Sequence, residues 1–354
     1  MAHLQASLPI PSFVNLSHAN DARFAVKNLN ALHKRALEWR AENRLTPARA
    51  DAVRVHLLVI DDQTDFSFPD GALYVAGRSG TGALDAQRNL AAFVHRRLNV
   101  ISEITCTMDT HAPYQVFFTS AHVRRDGSHP EPHTVISAAE CRNGDYEPSP
   151  AMARHLGADI GWLRRQWTHY CERLEATGKY QLHLWPYHCV LGTDGHRLAG
   201  IVDEARLFHA FARSAANVPE LKGASPLTEH YSIFSAEITE CWDGAPIPGA
   251  QKNERLLNAL LASDVIVIAG LASSHCVRSS VADLLTEIQA RDARLAQKVY
   301  ILRDCTAAVV TPGADFTDAA EQAMQSFEDA GMRIVVSTDD MESWPGILEI
   351  FHGK

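Results

Sequence analysis

Short runs of β-branched and aliphatic residues, separated by segments of helical period, limit what this chain can fold into more than any other feature. The runs are 53–60 (VRVHLLVI), 103–108, 264–269 (DVIVIA), 298–302 (KVYIL) and 333–336. Between them, apolar residues recur at three- and four-residue spacing over 82–99, 253–263, 277–291 and 315–330, the period of an amphipathic helix. Runs that are largely apolar need cover on both sheet faces, and helices joining parallel strands supply it. A sixth, weaker strand is expected just before Lys222. The expected class is therefore α/β, a six-stranded parallel sheet with helices on both faces.

Three regions fit this alternation poorly. Residues 1–50 form an N-terminal leader, whose part from 25 to 43 has the pattern of one amphipathic helix. Residues 120–179 are rich in His, Pro and Arg at first. They then carry a helical pattern over 159–177, with Ile160, Leu163, Trp167, Tyr170, Cys171 and Leu174 on one face. The third stretch, 240–251, holds Trp242 and two prolines. The expected organisation is a helical extension over 1–50 and one domain over 51–354, interrupted by an insertion at about 120–179.

Charge narrows the partners. With 33 Lys plus Arg against 42 Asp plus Glu the formal net charge is -9. No basic block marks a nucleic-acid backbone or an anionic membrane as a partner. No run approaches the ~18 apolar residues of a membrane span, and the N-terminus lacks a signal-peptide pattern, so a cytoplasmic location is expected. The seven cysteines are odd in number, scattered and free of any CxxC pair, which reads as free thiols rather than a disulfide framework. Eighteen histidines exceed what packing needs, and several are expected at a site.

In parallel α/β sheets ligands bind at the carboxyl ends of the strands, so the polar residues just after each run are the ones to test. The first run ends in Asp61, Asp62 and Gln63, followed by Asp65 and Phe66; the bland alternative is a helix cap or turn. The second run leads into Asp109, Thr110 and His111. An Asp-x-His pair on extended backbone points both side chains to one face, which suits two ligands of a divalent metal and equally a hydrogen-bonded loop. The run 264–269 passes through Gly270, Leu271, Ala272, Ser273, Ser274 and His275 into Cys276 and a helix. That is a nucleophile elbow in mechanical terms, with the helix N-terminus favouring a thiolate and offering amides to an oxyanion. The alternative is a buried Cys in a βα turn. His275 adjoins Cys276 and points elsewhere in such a turn, so Asp61 is the better candidate base.

These residues resemble a known family. VIDDQTDF (59–66), MDTH (108–111), WPYHCVLGTDG (185–195), KGASPLTEHYSIF (222–234) and GLASSHCV (270–277) are similar, in order, to the motifs of the nicotinamidase branch of the isochorismatase-like cysteine hydrolases. WPYHCVLGTDG is the most specific of them and favours the metal-binding branch. The resemblance leaves out the leader and residues 120–179. It implies the isochorismatase-like hydrolase fold, with sheet order 3-2-1-4-5-6. It also implies a triad of Asp61, Lys222 and Cys276, and a divalent metal on Asp109, His111 and His188, zinc foremost with iron or manganese as alternatives. Gln115 stands where the family often has a further His, and is expected to hold a metal-bound water or to coordinate weakly. Phe66 and Trp185 match the aromatics flanking the substrate ring, and Tyr231 matches a pocket tyrosine. A cis peptide between Leu271 and Ala272 would turn the amides of Ala272 and Cys276 to the oxyanion. Asp62 departs from the apolar residue usual beside the catalytic Asp.

The activity so implied is hydrolysis of nicotinamide, or a closely related small amide, to the carboxylic acid and ammonia through a thioester. A hydrolase for a larger or non-pyridine amide is the enzymatic alternative, and a non-catalytic ligand-binding member of the fold is the other. The expected partners are a small-molecule amide and further copies of the chain in a homo-oligomer. The insertion is read as a surface elaboration or subunit contact in preference to a lid bringing Arg124, Arg125, His129 and His133 to the substrate entrance. Its one-sided apolar face must pack somewhere, on a neighbouring subunit or on its own core.

Overall fold

Six strands form the central sheet: β1 (Val55–Ile60), β2 (Glu103–Asp109), β3 (Glu220–Lys222), β4 (Val265–Gly270), β5 (Val299–Leu302) and β6 (Arg333–Val335). Their neighbour order is β6-β5-β4-β1-β2-β3, and every adjacent pair is parallel. From the other edge this is the expected 3-2-1-4-5-6. The computed structural model describes residues 3–178, 180–311 and 313–354. Met1 and Lys179, the outer limits expected for the leader and the insertion, lie outside the described residues.

The helices are α1 (Leu29–Glu42), α2 (Gly82–Arg96), α3 (Ile160–Ala176), α4 (Gly200–Arg213), α5 (Glu254–Ala262), α6 (Cys276–Arg291) and α7 (Thr317–Asp329), with shorter ones between. One sheet face packs Leu57, Val59 and Val267 against Leu90 of α2 and Ile201 of α4. The other packs Leu58, Ile60 and Ile268 against Leu257 of α5, Leu284 of α6 and Phe327 of α7. All residues of β1 and β4 are buried, as a largely apolar run demands when a sheet is covered twice. Among the described residues no helix is long and apolar enough to cross a membrane.

Helix α4 is absent from the sequence reading. Its buried positions include Ile201, Val202, Ala205, Phe208, His209 and Ala212 at helical spacing, but Gly200, Ala205, His209, Ala212 and Arg213 among them give little hydrophobic contrast. The leader helix starts at Leu29, later than expected, because Asn28 caps it by accepting from Ala31 N at 2.9 Å. Leu32 and Ala36 of α1 then pack on Phe208 and Ala212 of α4.

The insertion is tied to its own chain. The α3 face of Leu163, Trp167, Tyr170, Cys171 and Leu174 packs with Leu227, Ile238 and Ile247, so the irregular 240–251 stretch forms part of its bed. Of the two packing partners left open by the sequence, the chain's own core is the one found.

Candidate active site

The strand register brings the chemistry together. Val59 of β1 is level with Cys106 of β2 and Ala269 of β4, and Asp109 is level with Lys222 of β3, so four carboxyl ends open at one height. Asp61, the first residue beyond β1, turns the chain with φ +45°, a left-handed conformation that Asp tolerates better than most residues. It is fully buried. Its Oδ1 accepts from Thr107 Oγ1 at 2.6 Å, and its N–H donates to the same oxygen at 3.1 Å. Lys222 Nζ lies 2.9 Å from Asp61 Oδ2 and 3.0 Å from Asp109 Oδ1. It donates to His230 O at 2.7 Å and reaches Cys276 Sγ at 3.7 Å.

Cys276 opens α6 after a turn that the backbone itself constrains. Gly270 adopts φ +110°, and a Cβ there would stand 2.1 Å from Ile60 O, so only glycine lets β4 lie this close to β1. The Leu271–Ala272 peptide is cis. The amides of Ser273, His275 and Val277 donate to the carbonyls of Ala307, Ala272 and Ala272. Among the described residues the amides of Ala272 and Cys276 have no such acceptor, which leaves two donors beside the thiol at the positive end of a helix.

Buried charge sets the protonation states. Burial pushes the Asp61 carboxyl up, only partly offset by Lys222. Burial also raises Asp109, but the His111 ring and the Lys222 ammonium outweigh it and hold Asp109 well below the usual carboxylate range. Lys222 is likewise disfavoured by burial, yet the carboxylates of Asp109 and Asp61 keep it well above the ordinary lysine value. The Cys276 thiol is pushed up by burial, against the pull of Lys222. A thiol in that state needs a base at hand, and a carboxyl raised toward neutrality can both take a proton and return it.

A second cluster adjoins the first. Gln63 clamps the end of β2, accepting from Asp109 N at 2.7 Å and donating to Asp109 O at 2.8 Å. The 185–191 segment is laid alongside by His111 N to Cys189 O at 3.0 Å, Leu191 N to His111 O at 3.0 Å and Trp185 N to Phe117 O at 2.9 Å. Asp109, His111 and His188 thereby place donor atoms within 4.8 Å of one another. His111 Nδ1 faces Gly223 O at 3.2 Å and His188 Nδ1 faces Pro186 O at 2.8 Å. A carbonyl partner fixes the ring proton on Nδ1, so both Nε2 lone pairs turn inward, as metal-ligating imidazoles do. His111 Nε2 is buried without a hydrogen-bond partner among the described residues, although Asp109 Oδ2 lies 2.9 Å away. Burial lowers the His188 pKa and keeps that ring neutral. Two imidazoles with Nε2 turned inward and a carboxylate, one nitrogen orphaned, fit a divalent ion.

Gln115 is spent on backbone. Its Oε1 accepts from Ala112 N at 3.2 Å, and its Nε2 donates to Gly223 O at 2.6 Å and Ser225 O at 2.9 Å. It holds the carbonyl that orients His111 and does not aim its own oxygen at the donor cluster.

Both clusters border a cavity of about 270 Å³ walled by Phe66, Leu73, Trp185 and Tyr231. Of the insertion residues weighed for its entrance, only His133 lines it; Arg125 donates to the carbonyls of Asn143 and Gly144, and His129 faces those of Thr119 and His122. His275 bonds Ser274 Oγ through Nδ1 at 2.8 Å and packs its ring near Trp185, Tyr231 and Phe316, which excludes a Cys–His dyad. Sequence reasoning missed the supporting roles of Gln63 and Thr107. Thr107 was within reach, because the period of two in β2 puts it on the face of Asp109.

No family model matches the chain, and no curated protein matches it. The fold and the strand-end residues define an α/β protein with a buried Asp–Lys–Cys cluster beside an Asp–His–His cluster. Among solved structures it is similar to nicotinamidases and pyrazinamidases. One is the Acinetobacter baumanii nicotinamidase/pyrazinamidase, at 18% identity over 81% of this chain and 97% of that one, with a TM-score of 0.47. Another is the yeast nicotinamidase Pnc1p bound to the inhibitor nicotinaldehyde, at 18% identity over 80% and 99% of the two chains, with a TM-score of 0.48. A third is the pyrazinamidase of Pyrococcus horikoshii in complex with zinc, at 18% identity over 80% and 99%, with a TM-score of 0.43.

Proposed function

We propose that this chain is a metal-dependent cysteine amidohydrolase that converts nicotinamide, or a small amide close to it, to the carboxylic acid and ammonia. The observation that carries the reading is the convergence on Lys222 Nζ of Asp61 Oδ2 at 2.9 Å and Cys276 Sγ at 3.7 Å, with Cys276 lining an aromatic-walled cavity. In this reading Asp61 takes the thiol proton while Lys222 steadies the charges that form. Cys276 sulfur attacks the amide carbon, and the amides of Ala272 and Cys276 receive the oxyanion, a contribution on the order of 3 kcal/mol per donor. As the C–N bond breaks, Asp61 returns its proton to the leaving ammonia, and a thioester remains. Asp61 then draws a proton from water attacking that thioester, which frees the acid and restores the thiol. A divalent ion on Asp109, His111 and His188, zinc first and iron or manganese next, would supply a Lewis acid for a polar atom of the substrate ring. Phe66 and Trp185 would flank that ring, with Tyr231 at its edge.

The test is ammonia release from nicotinamide by the purified chain with zinc, manganese or ferrous ion. Turnover that disappears in Cys276→Ala supports the reading. Hydrolysis only of another amide transfers the mechanism to a different substrate, and full activity in Cys276→Ala rejects it.

A further inference from the structure

The wall of the cavity is tied to the insertion by a buried relay outside both clusters. Trp185 Nε1 donates to Tyr231 Oη at 3.0 Å, and Tyr231 donates on to Glu229 Oε1 at 2.8 Å. The other carboxylate oxygen, Oε2, accepts from Tyr170 Oη of α3 at 3.0 Å, and that hydroxyl in turn accepts from Glu229 N at 3.1 Å. Tyr170 is fully buried and Glu229 is 3% exposed. Burial pushes Glu229 up to about 8. A buried carboxyl is costly where packing alone is needed, and both of its oxygens are engaged by tyrosine hydroxyls. One of those tyrosines borders the cavity, and the other belongs to the insertion.

We propose that Tyr170 and Glu229 are positioning residues through which the insertion holds Tyr231 and Trp185 at the angle a substrate ring requires, and so sets which ring amides the site accepts. This rests on the amidohydrolase reading above. Each oxygen of the buried carboxyl is engaged by one tyrosine hydroxyl, so the carboxyl fixes the Tyr231 hydroxyl and that hydroxyl fixes the indole edge. Phe66, which also lines the cavity, has no bond to the relay: its amide donates to Gln63 O at 3.0 Å. The relay therefore acts on Tyr231 and Trp185 only. Without it, Cys276 and the Asp61–Lys222 pair keep their contacts while the ring they must face loses its guide.

The test compares wild type with Tyr170→Phe and Glu229→Gln by two readouts. For nicotinamide, KM is expected to rise about tenfold in Tyr170→Phe, with kcat within about twofold, the size of effect that loss of one buried hydrogen bond produces. In Cys276 labelling, the rate with N-phenylmaleimide relative to iodoacetamide is expected to change about threefold or more, because only the aryl reagent senses the wall. Glu229→Gln, which keeps the shape and exchanges one oxygen for an NH2 group, is expected to shift both readouts in the same sense. An unchanged KM together with an unchanged labelling ratio in Tyr170→Phe overturns the proposal, as does a fall in kcat with both of those constant. Tyr170→Phe removes one oxygen and decides the matter alone if Glu229→Gln does not fold. Wild type that labels at Cys276 but releases no ammonia from nicotinamide defeats the amidohydrolase substrate reading, and the labelling ratio then still decides the relay.

Discussion

Asp109 meets Lys222 through one oxygen only: Oδ1 lies 3.0 Å from Nζ, while Oδ2 lies 2.9 Å from His111 Nε2 and 3.8 Å from His188 Nε2. One carboxylate thus neutralises the ammonium beside Cys276 and completes the neighbouring donor cluster. The two clusters share a charge and cannot be altered independently. That coupling follows from the strand register, which sets Asp109 level with Lys222.

Asp109→Asn is therefore expected to damage both. Removing one carboxylate oxygen from the donor cluster should weaken the proposed zinc binding by at least about 100-fold, the upper end of what even outer-shell changes cost. Lys222 is left with Asp61 as its remaining carboxylate partner, and breaking a buried pair costs about 3–5 kcal/mol. Zinc affinity by chelator competition and stability by urea unfolding check the two halves separately. Zinc affinity equal to wild type would place the ion elsewhere.

The acid limb of activity should answer to Thr107. Burial raises the Asp61 carboxyl, so the base is ionised only at higher pH than an ordinary aspartate would be, and kcat/KM should fall on acidification sooner than a normal carboxylate predicts. The Thr107 hydroxyl, 2.6 Å from Asp61 Oδ1, stabilises the ionised form and pulls the other way. In Thr107→Val that help is gone, the limb moves to higher pH, and activity near pH 5 relative to pH 8 should drop about fivefold, the worth of one hydrogen bond. A pH–rate profile of both proteins is the measurement, and coincident profiles would remove Asp61 from the role of base.

Asp62 makes the opposite kind of prediction, about stability. It is buried against Ser67 Oγ, which donates to its Oδ1 at 2.7 Å, and burial pushes its pKa up to about 7 from 3.8. Because the folded form binds the proton more tightly than the unfolded one, this group's contribution is best at low pH. It is lost as pH climbs from the ordinary carboxylate range through about 7. Asp62→Asn keeps an acceptor for Ser67 and never ionises. It should match wild type in acid and exceed it at about pH 8 by on the order of 1 to 3 kcal/mol. Urea unfolding at both pH values tests this, and an equal effect at both would mean that the carboxyl is not the titrating group.

How much of this was readable in the sequence varies with the physics involved. Apolar runs announce strands, and the residues closing them announce site positions, so Asp61, Asp109 and Cys276 stand where the pattern puts them. Lys222 ends a three-residue strand too short for periodicity to register, and only its resemblance to a family motif singles it out. Helix α4 escaped because Gly, Ala, His and Arg carry much of its buried face. Tyr170 looked like one more core residue on α3; that its hydroxyl meets Glu229 depends on a contact 59 residues away in sequence, and no local spacing encodes such a contact.

Gly223 supplies the most local test of the shared geometry. It follows Lys222 with φ +86°, and a Cβ there would meet Asp109 Oδ1 at 2.6 Å and His111 Cε1 at 2.8 Å. Gly223→Ala combines left-handed strain with a direct push on both clusters. Gly127, at φ +82° with nothing within 4 Å of its virtual Cβ, offers the strain without the push. Each substitution should cost about 1 to 3 kcal/mol of stability through the backbone. Only Gly223→Ala should also lower kcat, by about 100-fold or more, since displacing reacting groups by 1 Å has that effect, and weaken zinc binding with it. Activity, zinc affinity and unfolding midpoints of the two variants measured side by side separate the terms. Equal activities would show that Asp109 and His111 can shift without consequence, against the tight placement argued for them.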